Sequence, residues 1–126
     1  MQSREHYNWT RYYALNLHSV FYRGTVEWRC FNSTLHAGRV AAYVNLCLAM
    51  SAQAISQRST VMRKTVSDNE LFTFRVWLVR LGLNGDEFKN TRNHLLANLE
   101  GDRAWRYDKD SYEVNQKKKK SREIER

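Results

Sequence analysis

The chain has 126 residues, of which 42% are hydrophobic and 13% aromatic, and a formal net charge of +8. This size and composition exclude a disordered chain and allow one domain with a buried core, while the positive charge favours anionic partners such as phosphates, carboxylates or nucleic acid without choosing among them. The two cysteines form no C-x-x-C pair and no apolar run is long enough to cross a bilayer, so we expect neither a structural zinc site nor a membrane partner, and a cytoplasmic location.

Two strands are predicted near the start of the chain. In RYYALNLHS, residues 11–19, and again in TVEWRCF, residues 25–31, apolar and polar side chains alternate, which is the pattern of a half-buried strand. A loop is predicted near residues 22–24, and this short connection favours antiparallel pairing. The face predicted to lie on the core comprises Tyr13, Leu15, Leu17, Val26, Trp28 and Cys30.

Helical periodicity follows the two strands. Residues 37–57 are apolar almost all round, which predicts a helix buried on more than one side, against the sheet or against a partner. Ser67 is predicted to cap a second helix, with Glu70 as its third residue, and Gly82 to end it. A third helix is predicted over residues 86–100.

Together these elements predict an α+β fold, in which a small antiparallel sheet of two or more strands packs against about three helices. The organised domain is expected to span residues 1–106. Residues 107–126 form a basic tail that includes the run Lys117–Lys120, and this tail is predicted to be helical or disordered.

The second face of the two strands gathers polar and charged side chains, which are poor strand formers. Because side chains alternate, Asn16 and His18 share this face with Glu27 and Arg29 in any register. One interpretation is an ordinary solvated ion pair between Glu27 and Arg29, worth about 0.2–1 kcal/mol. The other is a binding face, in which Arg29 grips a carboxylate or phosphate and Glu27 offers one oxygen ligand to magnesium.

Two motifs carry a family resemblance: R-Y-x-x-L-N over residues 11–16, and T-V-E-W-R-x-F-N-x-T-L-H over residues 25–36. They resemble the C-terminal part of the amidoligase family, which groups with the carboxylate–amine ligases that have the catalytic fold of glutamine synthetase and glutamate–cysteine ligase. We expect the resemblance to cover most of residues 11–105. Trp28 departs from the family pattern, which usually has phenylalanine at this position.

The resemblance implies an enzyme that uses ATP and magnesium to phosphorylate a carboxylate, after which an amine attacks the acyl phosphate and an amide forms. Carried onto this chain, Glu27 becomes a catalytic, metal-side carboxylate, and Arg29 holds the substrate carboxylate or the developing phosphate. The two substrates are expected to be small molecules or peptides. Five residues are expected to bind substrate. They are Asn16, Asn32, Thr34 and His36, and His18 from the shared polar face. His36 also fits a plain polar residue at the start of the following helix.

The family also has a strand with a G-x-E-x-E type acidic motif, which this chain does not contain. We therefore expect a C-terminal fragment that lacks ligase turnover on its own and that could pair with a separate N-terminal half. A nucleic-acid-binding module remains an alternative, since the chain is basic and two predicted helices flank the turn GLNGD, although the acidic residues of the second helix argue against such a partner. A further alternative is a non-catalytic subunit that docks on a complete ligase.

Overall fold

The computed structural model describes residues 9–107 and 109–124. Contacts within the chain divide it into two compact units, residues 1–37 and residues 38–126. The described residues contain one two-stranded antiparallel sheet and five α-helices, which confirms the predicted α+β class. Among these residues, no helix combines the length and the apolar character needed to cross a membrane.

The first unit is built around a ribbon of two very short strands. The elements are a 3-10 helix (Trp9–Tyr12), β1 (Leu15–Asn16), α1 (Val20–Arg23) and β2 (Glu27–Trp28). Leu15 lies opposite Trp28 and Asn16 lies opposite Glu27, so the pairing is antiparallel, as predicted. Regular pairing covers fewer residues than the alternating pattern does, because the chain before β1 turns into the 3-10 helix.

The connection between the strands contains a turn of helix where the sequence predicts a loop. This helix, α1, ends at Gly24, whose φ of +66° is left-handed and whose N–H donates to the Val20 carbonyl at 3.1 Å. Glycine adopts this conformation without steric cost. Gly24 therefore ends the helical turn and lets the chain return as β2.

The apolar face of the ribbon is not a buried core, and the prediction is wrong on this point. Tyr13, Leu17 and Val26 are 52%, 50% and 48% exposed, and Cys30 is exposed as well. A two-stranded ribbon buries a face only when another layer covers it. Alternation in the sequence predicts which side chains share a face, but it does not predict whether another element packs on that face.

The second unit is helical and holds all six buried hydrophobic side chains of the described residues. Its helices are α2 (Ala37–Ser56, all but its first residue in this unit), α3 (Glu70–Arg80), α4 (Lys89–Leu96) and α5 (Lys109–Ile124). α3 and α4 pack against each other, and Leu71, Leu78 and Leu96 from these two helices are buried. The Asn45 amide of α2 donates to the Thr91 hydroxyl of α4 at 2.9 Å, which ties α2 to the same core.

α2 confirms the predicted helix to within one residue, but its predicted burial on more than one side is wrong. Only Ala42 and Leu46 are buried along its length. Four exposed apolar side chains recur at helical spacing and form one stripe, which we call the α2 stripe: Val40, Val44, Leu48 and Ile55. The helix is therefore packed on one side and leaves an apolar surface on another.

The start of α3 also differs from the prediction. Asn69, rather than Ser67, is the N-cap, because its Oδ1 accepts from the Phe72 N–H at 2.9 Å. The Nδ2 of Asn69 donates to the carbonyls of Asp102 and Trp105, at 3.1 and 2.8 Å. Contacts with a distant part of the chain thus favour the asparagine as the cap, and these contacts are invisible in the local pattern.

The remaining helix ends follow the sequence signals in part. α3 ends at Arg80, just before Gly82 with its φ of +96°, as predicted. α4 has eight residues and is shorter than the predicted range 86–100, because the backbone on both sides of it forms turns. Residues 109–124 are helical. The predicted domain limit at residue 106 stays a prediction.

Candidate anion-binding site on the ribbon

The candidate site lies on the polar face of the ribbon. Asn16 on β1 directly opposes Glu27 on β2. Backbone pairing extends one position further, because the Arg29 N–H donates to the Ala14 carbonyl at 2.7 Å. Since side chains alternate along a strand, Arg29 emerges on the same side as Glu27. The fold thus brings Asn16, Glu27 and Arg29 together, as the alternation predicts.

Asn16 is the buried centre of this group, with only 4% of its surface exposed. Its Nδ2 donates to Glu27 Oε2 at 2.7 Å, and its Oδ1 accepts from the His18 N–H at 2.9 Å. Both ends of the amide are therefore bonded, as a buried amide requires. Asn16 therefore holds one oxygen of the Glu27 carboxylate in a fixed position.

Arg29 approaches the other oxygen of the same carboxylate. Its Nη1 lies 3.5 Å from Glu27 Oε1, and the side chains of Arg29 and Glu27 are 33% and 47% exposed. A contact this long between partly exposed groups is weak, about 0.2–1 kcal/mol. A guanidinium carries several N–H donors in a planar fork. Arg29 therefore keeps most of its donor capacity for an incoming anion.

Two further residues of the site, Tyr12 and Arg11, have no role in the sequence-based prediction. The guanidinium carbons of Arg29 and Arg11 lie 5.4 and 5.5 Å from the centroid of the Tyr12 ring, which is within cation–π range. Two positive groups therefore share one aromatic ring. Both residues belong to the R-Y-x-x-L-N motif, which is the one signal in the sequence, but their contact depends on the 3-10 helix that alternation does not predict.

His18 contributes a ring nitrogen that is buried and unsatisfied. Its ring lies against that of Tyr22, with centroids 5.2 Å apart and planes at 61°. Within the part of the chain that the structure describes, Nε2 is buried and has no hydrogen-bond partner. Such an atom costs about 1–3 kcal/mol unless water or a ligand satisfies it. His18 lies in the turn after β1, and this nitrogen is closed off from solvent, so the role of His18 in substrate binding stays a prediction.

The other three predicted substrate-binding residues lie after β2, in the irregular backbone that leads to α2. Asn32 and His36 are exposed, and Thr34 is half-buried. Thr34 Oγ1 accepts from the His36 N–H at 3.1 Å, a local contact that shapes the turn before the helix. Their roles in substrate binding stay predictions.

The acidic groups of the described residues do not build a metal centre. In residues 9–107 and 109–124, no group of three or more His, Cys, Asp or Glu side chains is arranged to hold a metal ion. Glu27 is a single carboxylate, and each of its oxygens contacts a neighbour. Magnesium takes one or two carboxylates and completes an octahedral shell with water and substrate phosphate. Glu27 supplies one carboxylate, and both of its oxygens are already engaged by Asn16 and Arg29, so magnesium binding by Glu27 stays a prediction.

An amide, a carboxylate and a guanidinium thus lie together on one face of the ribbon, and the guanidinium of Arg29 makes this face a candidate site for an anion such as a carboxylate or a phosphate. Residues 1–51 match the model of a family described as "Putative amidoligase enzyme". The matched stretch contains both strands and the polar face, so the predicted resemblance is confirmed there and indicates a ligase at the level of the family. The match ends in α2, well short of the predicted limit at residue 105. No curated protein and no solved structure matches the chain.

Proposed function

We propose that this chain supplies the carboxylate- and phosphate-binding part of an ATP-dependent carboxylate–amine ligase, which forms an amide through an acyl phosphate. The observation that carries the proposal is the run of contacts from Asn16 to Glu27 to Arg29, within the stretch that matches the family. An ordinary solvated ion pair does not need a buried amide beneath its carboxylate. Here the buried amide fixes one oxygen of the Glu27 carboxylate, which supports a site whose groups are held in position before a ligand binds.

Arg29 is the proposed anchor for the substrate carboxylate and for the charge of the acyl phosphate. Its planar fork matches two oxygens of either group. The Tyr12 ring beside the guanidinium restrains the side chain without consuming its N–H donors. Because the contact with Glu27 is long, an incoming anion displaces it at little cost.

Glu27 is the proposed catalytic carboxylate. When an anion takes Arg29, Oε1 of Glu27 is released while Asn16 still holds Oε2. The carboxylate then stays oriented beside the bound anion. We propose ATP and magnesium as cofactors on the family resemblance alone. In this proposal a second polypeptide segment provides the further carboxylates that hold the metal beside Glu27.

His18, Asn32, Thr34 and His36 are the proposed contacts to the acid and the amine, which are small molecules or peptides. The Nε2 of His18 has no partner among the described residues, but a ligand reaches it only if the surrounding side chains move. The other three residues follow the strand that carries Glu27, and two of them are exposed to an incoming molecule.

We further propose that a second segment, carrying an acidic strand, covers this chain and completes the enzyme. Two exposed apolar surfaces support this: the ribbon face around Tyr13, Leu17 and Val26, and the α2 stripe. Exposed apolar patches mark interaction surfaces, and covering them contributes about 25 cal/mol per Å² of apolar area. The chain by itself is then expected to show no ligase turnover.

Anion binding tests the site directly. Inorganic phosphate is added to the chain at constant ionic strength and without metal, while backbone and arginine side-chain NMR signals are recorded. We expect the Arg29 signals to shift in the parent chain, and the response of its neighbours to disappear in Arg29→Gln. Arg23→Gln is the matched control, because it removes the same charge from an exposed position at the end of α1. Equal losses in both variants, or none in Arg29→Gln, would refute the anion site.

Turnover tests the second part of the proposal. The isolated chain is incubated with ATP, magnesium, and mixtures of carboxylates and amines, and ADP release and amide formation are measured together. We expect neither product above background. Coupled release of ADP and amide would show that no second segment is needed, while leaving the role of Arg29 to the phosphate titration.

A further inference from the structure

The second unit contains a cavity of about 560 Å³ between α3 and the end of α4. Phe74 and Trp77 line one side, and Leu95 and Leu99 line the other. The rings of Phe74 and Trp77 are nearly parallel, at 20°, with centroids 5.5 Å apart, so they form one aromatic wall. This volume and apolar lining are those of a small-molecule site, for which about 300–1,000 Å³ is usual.

The mouth of this cavity is acidic. An adjoining depression shares Glu70, Asn98 and Leu99 with the cavity, and Asp68 and Glu100 also line it. No described lysine, arginine or histidine forms an ion pair with any of the three carboxylates. This concentration of negative charge contrasts with the net charge of +8 on the chain.

Hydrogen bonds within the protein hold the mouth in shape. Asn69, which lies between two of the carboxylates in the sequence, is buried and donates to the carbonyls of Asp102 and Trp105. The hydroxyls of Ser67 and Thr73 lie 2.6 Å apart at the edge of the cavity. Because these restraints do not depend on a ligand, binding requires little ordering of the protein.

We propose that this cavity binds a small organic cation. Its apolar body lies against the wall of Phe74 and Trp77, and its ammonium or guanidinium group meets the Glu70 carboxylate at the mouth. The Glu70 carboxylate favours a positively charged ligand over a neutral one of the same shape. An anion of the same shape would instead meet the Glu70 carboxylate, with Asp68 and Glu100 in the adjoining depression. The proposal does not rest on the ligase function.

Tryptamine is a suitable probe, because it joins an aromatic ring to a primary ammonium, and indole-3-acetate is its counterpart with a negative charge. Each is titrated into the full chain at low ionic strength, and the Trp77 indole signal is followed by NMR. We expect tryptamine to shift this signal and to bind at least about fivefold more tightly than indole-3-acetate. Added salt should reduce the difference, since the charges at the mouth are exposed.

Three variants separate charge from shape. Glu70→Gln should weaken tryptamine binding about three- to fivefold and leave indole-3-acetate no weaker. Trp77→Leu, which keeps an apolar side chain but removes the ring, should weaken both ligands by up to about tenfold. Glu113→Gln makes the same charge change on α5, outside the cavity, and should alter neither.

Equal affinity for the two probes in the parent chain would overturn the proposal. So would equal effects of Glu70→Gln and Glu113→Gln on tryptamine. Both glutamates are exposed, so these variants keep the fold and the test stands even if Trp77→Leu is too unstable to measure.

Discussion

The ribbon of the first unit and the helical core of the second are built in opposite ways. In the second unit, leucines from several helices are buried and apolar packing provides the stability. Among the described residues of the first unit, the buried one is a polar amide, Asn16, while large apolar side chains lie at the surface. Regions with few buried apolar contacts lie at the low end of local stability. The comparison teaches that packing supports one unit, whereas a small polar network organises the other.

The largest effect is expected in the helical core. Leu78 is completely buried, so Leu78→Ala should lower the free energy of unfolding by about 2–5 kcal/mol through lost burial and the cavity left behind. Leu48→Ala deletes the same atoms from the α2 stripe, where the side chain is 64% exposed, and should cost less than about 1 kcal/mol. Denaturation curves followed by circular dichroism give both values. Similar losses of unfolding free energy in the two variants would mean that Leu48 is packed as tightly as Leu78.

A smaller loss is expected at Gly101, where the backbone passes close to the side chain of Asn69. Gly101 has a φ of +126°, and a Cβ there would collide with Oδ1 of Asn69, the cap of α3. Gly101→Ala should therefore cost about 1–3 kcal/mol. Gly82→Ala is the control, since its φ is also positive but open space surrounds it. Thermal unfolding measures both, and an equal cost at Gly82 would mean that the approach to Asn69 contributes nothing.

In the ribbon, the polar network is expected to matter locally. Asn16→Ala leaves Glu27 Oε2 and the His18 N–H without the partner they have in the structure, which should cost about 1–3 kcal/mol in the first unit. Hydrogen exchange of the Arg29 amide reports this, because that N–H closes the ribbon on Ala14. We expect faster exchange in Asn16→Ala. Asn32→Ala, at an exposed position, should leave the rate unchanged, and a matching increase there would speak against a specific role for Asn16.

The smallest change in stability is expected at the ion pair itself. Glu27→Gln should alter the free energy of unfolding by less than about 1 kcal/mol, because the contact with Arg29 is long and partly exposed. The same substitution removes a competitor for the guanidinium, so phosphate without metal should bind up to about fivefold more tightly. Calorimetric titration measures this affinity. Weaker binding would mean that Glu27 does not compete with the anion for Arg29.

The candidate site shows which contacts the local sequence pattern predicts and which it does not. Asn16, Glu27 and Arg29 could be placed together from the sequence, because alternation along a strand is a property of the backbone and survives any register. The contact of Tyr12 with two arginines could not be placed. It depends on the 3-10 helix before β1, in a segment whose alternation predicts a strand.

The sequence by itself determined the α+β class, the antiparallel pairing of the two strands, the extent of α2 and the end of α3 near Gly82. These features follow from side-chain period and from residues with special backbone freedom, which act within a few positions. Only the tertiary structure decided that Asn69 caps α3, that the ribbon's apolar face is exposed and that a cavity opens beside Trp77. Each of these features depends on which residues far apart in the sequence pack together. The period and spacing of side chains do not predict such contacts.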